Sequence, residues 1–540
     1  MRATGAIFPQ VRSTANCALF ILGFGVFGLL SGSGCAAIDQ PAATVATENS
    51  LDGRALLAFS LAAHGPSEGH APLALAYRGR HFELGDFVVP FELREYDARE
   101  TVWFGFDGSI RVHAVRSHEE SGAEALPAAE GGEDTAPRSE TEHSILELEP
   151  ASSYALDFDA AVQADSERAR IAAQYRWAER IPSLYLSLAL SERGQPRYLG
   201  RFVTHGRLSD VVAFEDRAGS ARSVVLDPQS HRLRAVESFE SDPLFGDDLR
   251  YTEYAELRAV DSLLVAVELR RHRLWFVEDE LLAQPTLEPL PARCERASAR
   301  STRSARAVSA RVAPRLFELR LAHLDHRALF LELDDHVVVF EAPLSSEAGE
   351  LMLEEIARRS GDKPVQRLFL GHPARDSVGG IRPFVARGIP LVTTPGNVEF
   401  LQRIAAAPRG LEPDLQSFVN RAPALEIVRG QRRFEQGHYP VEVYDIGPYT
   451  VHSDEYLVFY FPVQRVLFEG DLISPPLSDQ GMPARDRAIG LLRAIDELRL
   501  DVDRIYESHP VRGRASVTPI ARLRELVAQR TEPKPTAAAE

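Results

Sequence analysis

Residues 371–380 read GHPARDSVGG and directly follow a buried-strand pattern at Arg367–Leu370. The loop contains one histidine, His372, and one aspartate, Asp376, and it ends in two glycines. Imidazole and carboxylate groups are common metal ligands, and glycine lets a backbone approach a bound group closely. The loop therefore indicates a metal site at a strand end, with few ligands of its own.

Strand and helix patterns alternate on both sides of this loop. Short apolar runs predict strands at 329–333, 337–340, 367–370, 389–393, 457–461, 465–468 and 504–506. Periodic apolar positions predict helices at 347–359, from about 397, at 486–498 and at 517–530. We expect residues 316–530 to form one layered α/β domain.

Three more polar positions follow in order along this domain. His452 lies in the stretch 451–454, Asp471 follows a strand pattern and Gly470, and His509 follows the last strand pattern.

The loop and these three positions resemble the metallo-β-lactamase-fold hydrolase superfamily, whose signature is His-x-His-x-Asp-His after a buried strand. The resemblance spans residues 316–530. It implies an αββα sandwich, with a β-rich domain before it, and a dinuclear metal site at strand ends. Ala374 and Ser377 stand where the signature has two of its histidines.

The resemblance implies a ligand set of His372 and His452 for one ion, Asp376 and His509 for the other, and Asp471 as the bridge. Compared with the signature, each ion site lacks one imidazole but still has three ligands when the shared Asp471 is counted. One bound ion is therefore more favourable than two. Asp376 is also the candidate catalytic residue, because it would orient the attacking water or take its proton. Arg375 is a further candidate, whose charge would stand in for a missing cation.

The expected cofactor is zinc, as one or two ions, with iron or manganese as alternatives and a metal-free site as the last. With metal, we expect weak or altered metal-dependent hydrolysis of an unidentified small molecule. The alternative is a catalytically inactive binding or scaffold protein of the cell envelope that retains the fold.

The chain before this domain is predicted to be rich in strands. Its 540 residues exceed one ordinary core, and apolar runs such as Leu184–Leu188 and Leu263–Leu269 predict strands within 50–290. Residues 224–254 resemble the lipoprotein-carrier-like half barrel that precedes some exported hydrolases of this superfamily. Such a sheet binds apolar ligands or packs on the catalytic domain.

Residues 292–315 contain seven arginines among Ala and Ser. We interpret them as an exposed interdomain linker, with contact to anionic lipid as the alternative. Residues 531–540 are expected to be a disordered tail.

Residues 1–35 have the pattern of a secretory signal: a weakly basic start, an apolar stretch and small residues before Cys35. This resembles a bacterial lipoprotein signal and predicts a lipid anchor at Cys35, with the protein on the periplasmic face of the envelope, in the outer membrane. The chain has three cysteines, of which only Cys294 would remain unmodified, so no intrachain disulfide is expected. A net charge of −17 argues against a nucleic-acid partner.

Overall fold

The computed structural model describes residues 52–65, 72–84, 90–105, 110–119, 139–149, 152–157, 160–163, 167–204, 206–260, 262–287, 306–321, 326–473, 486–508 and 517–531. The predicted signal segment 1–35, with Cys35, lies outside these ranges, as does nearly all of the tail 531–540. Export and lipidation therefore stay predictions. Within the described ranges, every helix is too short or too polar to cross a bilayer.

Thirteen antiparallel strands form one sheet in the N-terminal region. They run in the order β6-β5-β4-β3-β2-β1-β13-β12-β11-β10-β9-β8-β7, so two meanders meet where β1 pairs with β13. The strands are β1 Leu73–Leu84, β2 Leu93–Phe104, β3 Ile110–Glu119, β4 Ser139–Glu149, β5 Ser152–Asp157, β6 Ala160–Gln163, β7 Arg197–Thr204, β8 Arg207–Glu215, β9 Ala221–Leu226, β10 Leu233–Asp242, β11 Gly246–Val260, β12 Leu263–Arg273 and β13 Phe276–Leu287.

Three helices pack on this sheet: α1 Gly53–His64, α2 Glu167–Ala178 and α3 Pro182–Ser191. The run Leu184–Leu188, which we predicted to be a strand, lies in α3. Pro182 occupies the first turn, where its fixed φ suits a helix start. A short helix buried against a sheet carries apolar residues on nearly all of its faces. The periodicity of its sequence therefore does not distinguish it from a buried strand.

The C-terminal region contains two sheets that pack face to face. One has the order β14 to β20 and the other β21 to β26. The first comprises β14 Ala307–Ala313, β15 Leu316–Leu321, β16 His326–Glu332, β17 Val337–Phe340, β18 Val365–Phe369, β19 Leu391–Thr393 and β20 Leu425–Ile427. The second comprises β21 Gln431–Phe434, β22 Val441–Asp445, β23 Leu457–Phe461, β24 Val466–Glu469, β25 Arg504–Glu507 and β26 Val517–Pro519.

Helices cover the outer faces of both sheets. They are α4 Ser346–Ser360, α5 Arg375–Val378, α6 Arg382–Ala386, α7 Val398–Ala406, α8 Leu415–Val419, α9 Asp486–Glu497 and α10 Ile520–Thr531. Helices α4, α6 and α7 pack on the first sheet, and α9 and α10 on the second. This is the predicted αββα order. Residues 307–313, which we interpreted as the end of a linker, belong to edge strand β14, so the linker interpretation is wrong there.

The alternation of side chains along each strand explains the four layers. In β17, Val337 and Val339 enter the helix-side core while Val338 and Phe340 enter the core between the sheets. Successive side chains of a strand point to opposite faces. A strand buried on both faces therefore reads as a continuous apolar run, which is why the sequence pattern located these strands.

The two regions meet at an aromatic cluster. The ring centroids of Phe91, from the N-terminal region, and Phe400 are 5.3 Å apart. The guanidinium carbon of Arg403 lies 3.8 Å from the ring centroid of Trp275, also from the N-terminal region. Beside the cluster, the Asp247 N–H donates to Pro408 O at 2.7 Å. This backbone hydrogen bond and the aromatic contacts attach the large sheet to helix α7 and the residues after it, on the helix-covered side of the C-terminal domain.

Candidate metal centre

Three polar side chains converge where elements of the two C-terminal sheets end. His372 follows β18, His452 lies in the connection between β22 and β23, and Asp471 follows β24. One ligand atom from each lies within 4.8 Å of the others. The Leu457 N–H donates to Gly371 O at 2.8 Å, which joins the start of β23 to the His372 loop. The structure thus brings together three of the five residues predicted as ligands.

The donor set suits a divalent ion. His452 Nε2 lies 3.1 Å and His372 Nε2 lies 3.7 Å from Asp471 Oδ1. The two histidines are 5% and 2% exposed. His452 Nε2 is buried and makes no well-directed hydrogen bond among the described residues. Two imidazoles and one carboxylate form the set that holds catalytic zinc in some hydrolases and iron in some oxygenases.

His372 is supported from two sides. The Ser377 hydroxyl lies 3.0 Å from His372 Nδ1, and the Tyr456 ring stacks on the imidazole at 4.7 Å between centroids. Burial lowers the pKa of His372 to about 4, although the Asp471 charge opposes this shift. The imidazole is therefore neutral at pH 7, the form that binds a metal. Ser377, which stands where the signature has a ligand, instead orients one.

Asp471 is surrounded by donors and positive charge. The Tyr456 hydroxyl lies 3.3 Å from Asp471 Oδ1, and Arg487 Nη1 lies 3.0 Å from Asp471 Oδ2. Burial opposes ionisation of Asp471, but the neighbouring His452, the Arg487 charge and the neighbouring His372 hold its pKa well below the ordinary value. Asp471 is thus an anionic ligand, and one of its two oxygens already has a cationic partner.

Asp376 does not join this group. Its Oδ1 lies 3.4 Å from Nε2 of His326, the first residue of β16, and its side chain is 38% exposed. Asp376 is predicted as a ligand of the second ion, not of this group, and the described residues do not test that role. Its charge still acts on His372, so its predicted role toward a water is untested. His509 lies outside the described residues, and its predicted role stays a prediction.

Arg375 does not supply the missing charge. Its side chain is exposed and its Nε donates to Leu344 O at 3.3 Å. The cation beside the site is Arg487, from helix α9, which sequence reasoning missed. It also missed His326. Neither residue carries a local signal, because α9 reads as an ordinary amphipathic helix and His326 as a strand start.

Two buried carboxyl groups lie next to the site. Glu469 and Glu507 are register partners at the ends of the parallel strands β24 and β25, and they are 1% and 0% exposed. Burial raises the pKa of Glu469 to about 8, and burial with the nearby Glu469 raises that of Glu507 to about 10. Both groups therefore hold protons at neutral pH. The signal that could have found them is a glutamate in last place on a short strand whose other positions are mostly apolar or aromatic.

We expect Glu507→Gln to stabilise the metal-free protein at pH 9 and to change its stability little at pH 5. The folded chain keeps a proton on Glu507 that the unfolded chain releases above its ordinary pKa near 4.5. The stability that this proton gives the folded protein is complete below pH 4.5 and is lost as the pH rises toward the folded pKa of about 10. Between these two pKa values, the free energy of unfolding falls by roughly 1.4 kcal/mol per pH unit for one proton.

The measurement is the unfolding temperature at both pH values with chelator present. The control is Glu525→Gln, an exposed carboxylate on α10. If Glu507→Gln lowers the unfolding temperature equally at both pH values, Glu507 is ionised in the folded protein, paired with the nearby Arg327 charge, and the prediction is wrong.

No model of a known protein family matches the chain, and no curated protein does. A metallo-beta-lactamase from Pontibacter korlensis matches 41% of this chain and 98% of its own, at 16% identity and a TM-score of 0.32. The DIM-1 metallo-beta-lactamase matches 41% of this chain and 96% of its own, at 14% identity and a TM-score of 0.31. The sec-alkylsulfatase Pisa1 from Pseudomonas sp. matches 41% and 40%, at 18% identity and 0.30. Over about 41% of its length, the chain is similar in structure, at low identity, to proteins of the metallo-β-lactamase fold.

Proposed function

We propose that the protein binds one divalent metal ion through His372, His452 and Asp471 and carries out metal-dependent hydrolysis. The observation that carries this proposal is the convergence of three ligand atoms within 4.8 Å at the strand ends. The two histidines are buried, and one of their ring nitrogens has no well-directed hydrogen bond among the described residues. His452 Nε2 lies 3.1 Å from Asp471 Oδ1 but is poorly aligned with it, so an ion between them would give both atoms a better partner.

A bound divalent ion would supply Lewis-acid activation of a water and of a carbonyl or phosphoryl group. The chain's own residues have separate tasks. Ser377 holds the ring of His372 so that Nε2 faces Asp471. The Tyr456 hydroxyl accepts from the Asp471 N–H at 3.1 Å and so holds the ligand's backbone. Asp376, with His326 beside it, is the candidate acceptor for a proton from the attacking water.

A metal-free binding or scaffold role is the second candidate, and a specific observation favours it. Arg487 and His326 already face Asp471 and Asp376, at 3.0 and 3.4 Å. The Arg487 contact balances the charge of Asp471 without an ion, and His326 lies where a partner of Asp376 would otherwise stand. The two candidates therefore differ in one measurable property, which is metal content.

The test is metal analysis by inductively coupled plasma mass spectrometry on the full chain, purified without chelators and then reconstituted with zinc, iron or manganese. We expect about one equivalent in the natural protein and a near-complete loss in a His452→Ala, Asp471→Ala double variant. Exposed His438 gives the matched control, His438→Ala, which should keep the ion.

Activity is then measured on esters, thioesters, lactones and phosphodiesters with and without the ion. Metal-dependent turnover that the double variant lacks supports hydrolysis. Absence of metal from every reconstituted sample would refute the proposal and direct the search to binding partners. An ion without turnover of any of these classes would refute the hydrolytic part alone.

A further inference from the structure

Arg487 contacts the second carboxylate oxygen of Asp471, which could otherwise bind a metal ion. It is the second residue of α9, its side chain is 19% exposed, and its Nη1 lies 3.0 Å from Asp471 Oδ2. Asp471 Oδ1 faces the other way, toward His452 and His372. The carboxylate therefore divides its two oxygens between a permanent cation and the ligand group.

This division limits what the site can hold. A carboxylate can bridge two ions with one oxygen for each, and Arg487 occupies the second of these positions. A second ion on the shared Oδ1 would have to stand close to the first ion and to the Arg487 charge. A guanidinium remains charged at any ordinary pH, so it does not yield the position by losing a proton. Among the described residues, no second group of three ligand atoms exists near Oδ2, and Asp376 faces His326.

The surroundings also explain why a fixed cation belongs here. Asp471 lies beside Glu469, whose carboxyl group is buried, and the Tyr456 hydroxyl lies 3.3 Å from an oxygen of each. Without positive charge, an ionised Asp471 in this position would be costly. Arg487 supplies that charge whether or not an ion is bound.

We propose that Arg487 is the built-in counter-cation of Asp471, which limits the centre to one ion, weakens the binding of that ion and stabilises the metal-free protein. This inference rests on the proposed one-ion site. Arg487 and an ion bound to the same carboxylate repel each other. Even at the dielectric constant of water, this repulsion lowers the affinity for the ion roughly tenfold. The centre would then exchange its ion readily.

The experiment is zinc titration of the full chain against a competing chelator, with metal analysis at saturation and unfolding temperatures with and without zinc. The variants are Arg487→Gln and Arg487→Lys. The control is Arg493→Gln, which removes one exposed positive charge from the same helix away from the site. We expect one equivalent in the natural protein and about tenfold tighter binding in Arg487→Gln.

Arg487→Lys, which keeps the charge, and the control should both bind within about threefold of the natural protein. Metal-free Arg487→Gln should unfold at a lower temperature, and zinc should stabilise it more than it stabilises the natural protein. This widened gap distinguishes a counter-cation from a residue that only supports the fold.

Five results decide the matter. Two equivalents in the natural protein, or no gain in affinity for Arg487→Gln, would overturn the inference and leave metal binding intact. An equal gain in the control would also overturn it, because bulk charge would then be the cause. No ion in any variant would overturn the proposed function and this inference together. An ion bound only by Arg487→Gln would overturn the proposed function and support the counter-cation.

Discussion

Replacing Gly470 by alanine should lower metal affinity about 100-fold while leaving most of the fold in place. A Cβ atom at this position would lie 2.5 Å from the Tyr456 hydroxyl oxygen and 2.8 Å from Cε1 of His372. Neither neighbour can withdraw easily. The Tyr456 hydroxyl accepts the N–H groups of Gly470 and Asp471 at 3.0 and 3.1 Å, and its ring stacks on His372.

The added methyl group must therefore displace the imidazole of His372 or break the contacts of Tyr456. Either change moves a ligand, and ligand orientation is worth 10- to 100-fold in affinity, about the range seen when supporting contacts are lost. Overpacking should also cost about 1–3 kcal/mol of stability in the metal-free protein. The pair Gly470–Asp471 thus has a steric reason, since only glycine leaves room beside the first ligand.

Zinc competition with a chelator and chemical unfolding measure the two effects separately. Gly194→Ala is the matched control, because its Cβ would meet nothing closer than 3.7 Å. Binding of zinc by Gly470→Ala within about threefold of the natural protein would show that His372 and Tyr456 yield freely, and the close-approach explanation would be abandoned.

The second large effect is expected at Arg382, in helix α6. We expect Arg382→Ala to destabilise the C-terminal domain by about 3–5 kcal/mol. The side chain is 1% exposed and donates to both oxygens of Asp414, at 2.6 and 2.8 Å. Its Nη1 also donates to three backbone carbonyls at the end of α7, at 2.9–3.0 Å, those of Ile404, Ala405 and Ala407.

Alanine would remove one donor from each of these carbonyls and the only cation that contacts both oxygens of the half-buried Asp414 among the described residues. Asp414 also caps helix α8, where its side chain accepts from the Ser417 N–H at 2.9 Å, so the loss would spread to α8. Arg382→Lys should recover little, because one ammonium group cannot form the two-pronged contact and reach the carbonyls as well.

Chemical denaturation followed by circular dichroism measures the change, with Arg387→Ala as the control. Arg387 lies at the end of the same helix, and its ion pair with Glu350 is 41% and 32% exposed, so its loss should cost no more than about 1 kcal/mol. Equal costs for the two variants would mean that the buried contacts of Arg382 contribute no more than surface ones.

Much of the C-terminal fold followed from local pattern. The hairpin strands β16 and β17, and helices α4 and α9, lie within a few residues of their predicted positions. The reason is burial on both faces of the strands and on one face of each helix, which leaves a periodic mark in the sequence. Leu184–Leu188 was assigned wrongly because its surroundings are apolar on nearly every side, so no periodic mark remained.

The site followed only in part. Positions His372, His452 and Asp471 could be predicted because their order along the chain resembles the signature of the superfamily. The partners that tune them could not. Arg487 follows Asp471 by 16 positions, on a helix, and His326 precedes Asp376 by 50, on a strand. Only the packing of layers brings such residues together.

The sequence by itself determined the layers, the order of strands and helices, and which residues stand at the strand ends. Only the tertiary structure decided where the side chains point. It placed Asp376 against His326 and one oxygen of Asp471 against Arg487. The physical reason is that burial periodicity is a property of short segments. The direction of a side chain beyond a strand end depends instead on loop conformation and on charges from distant elements.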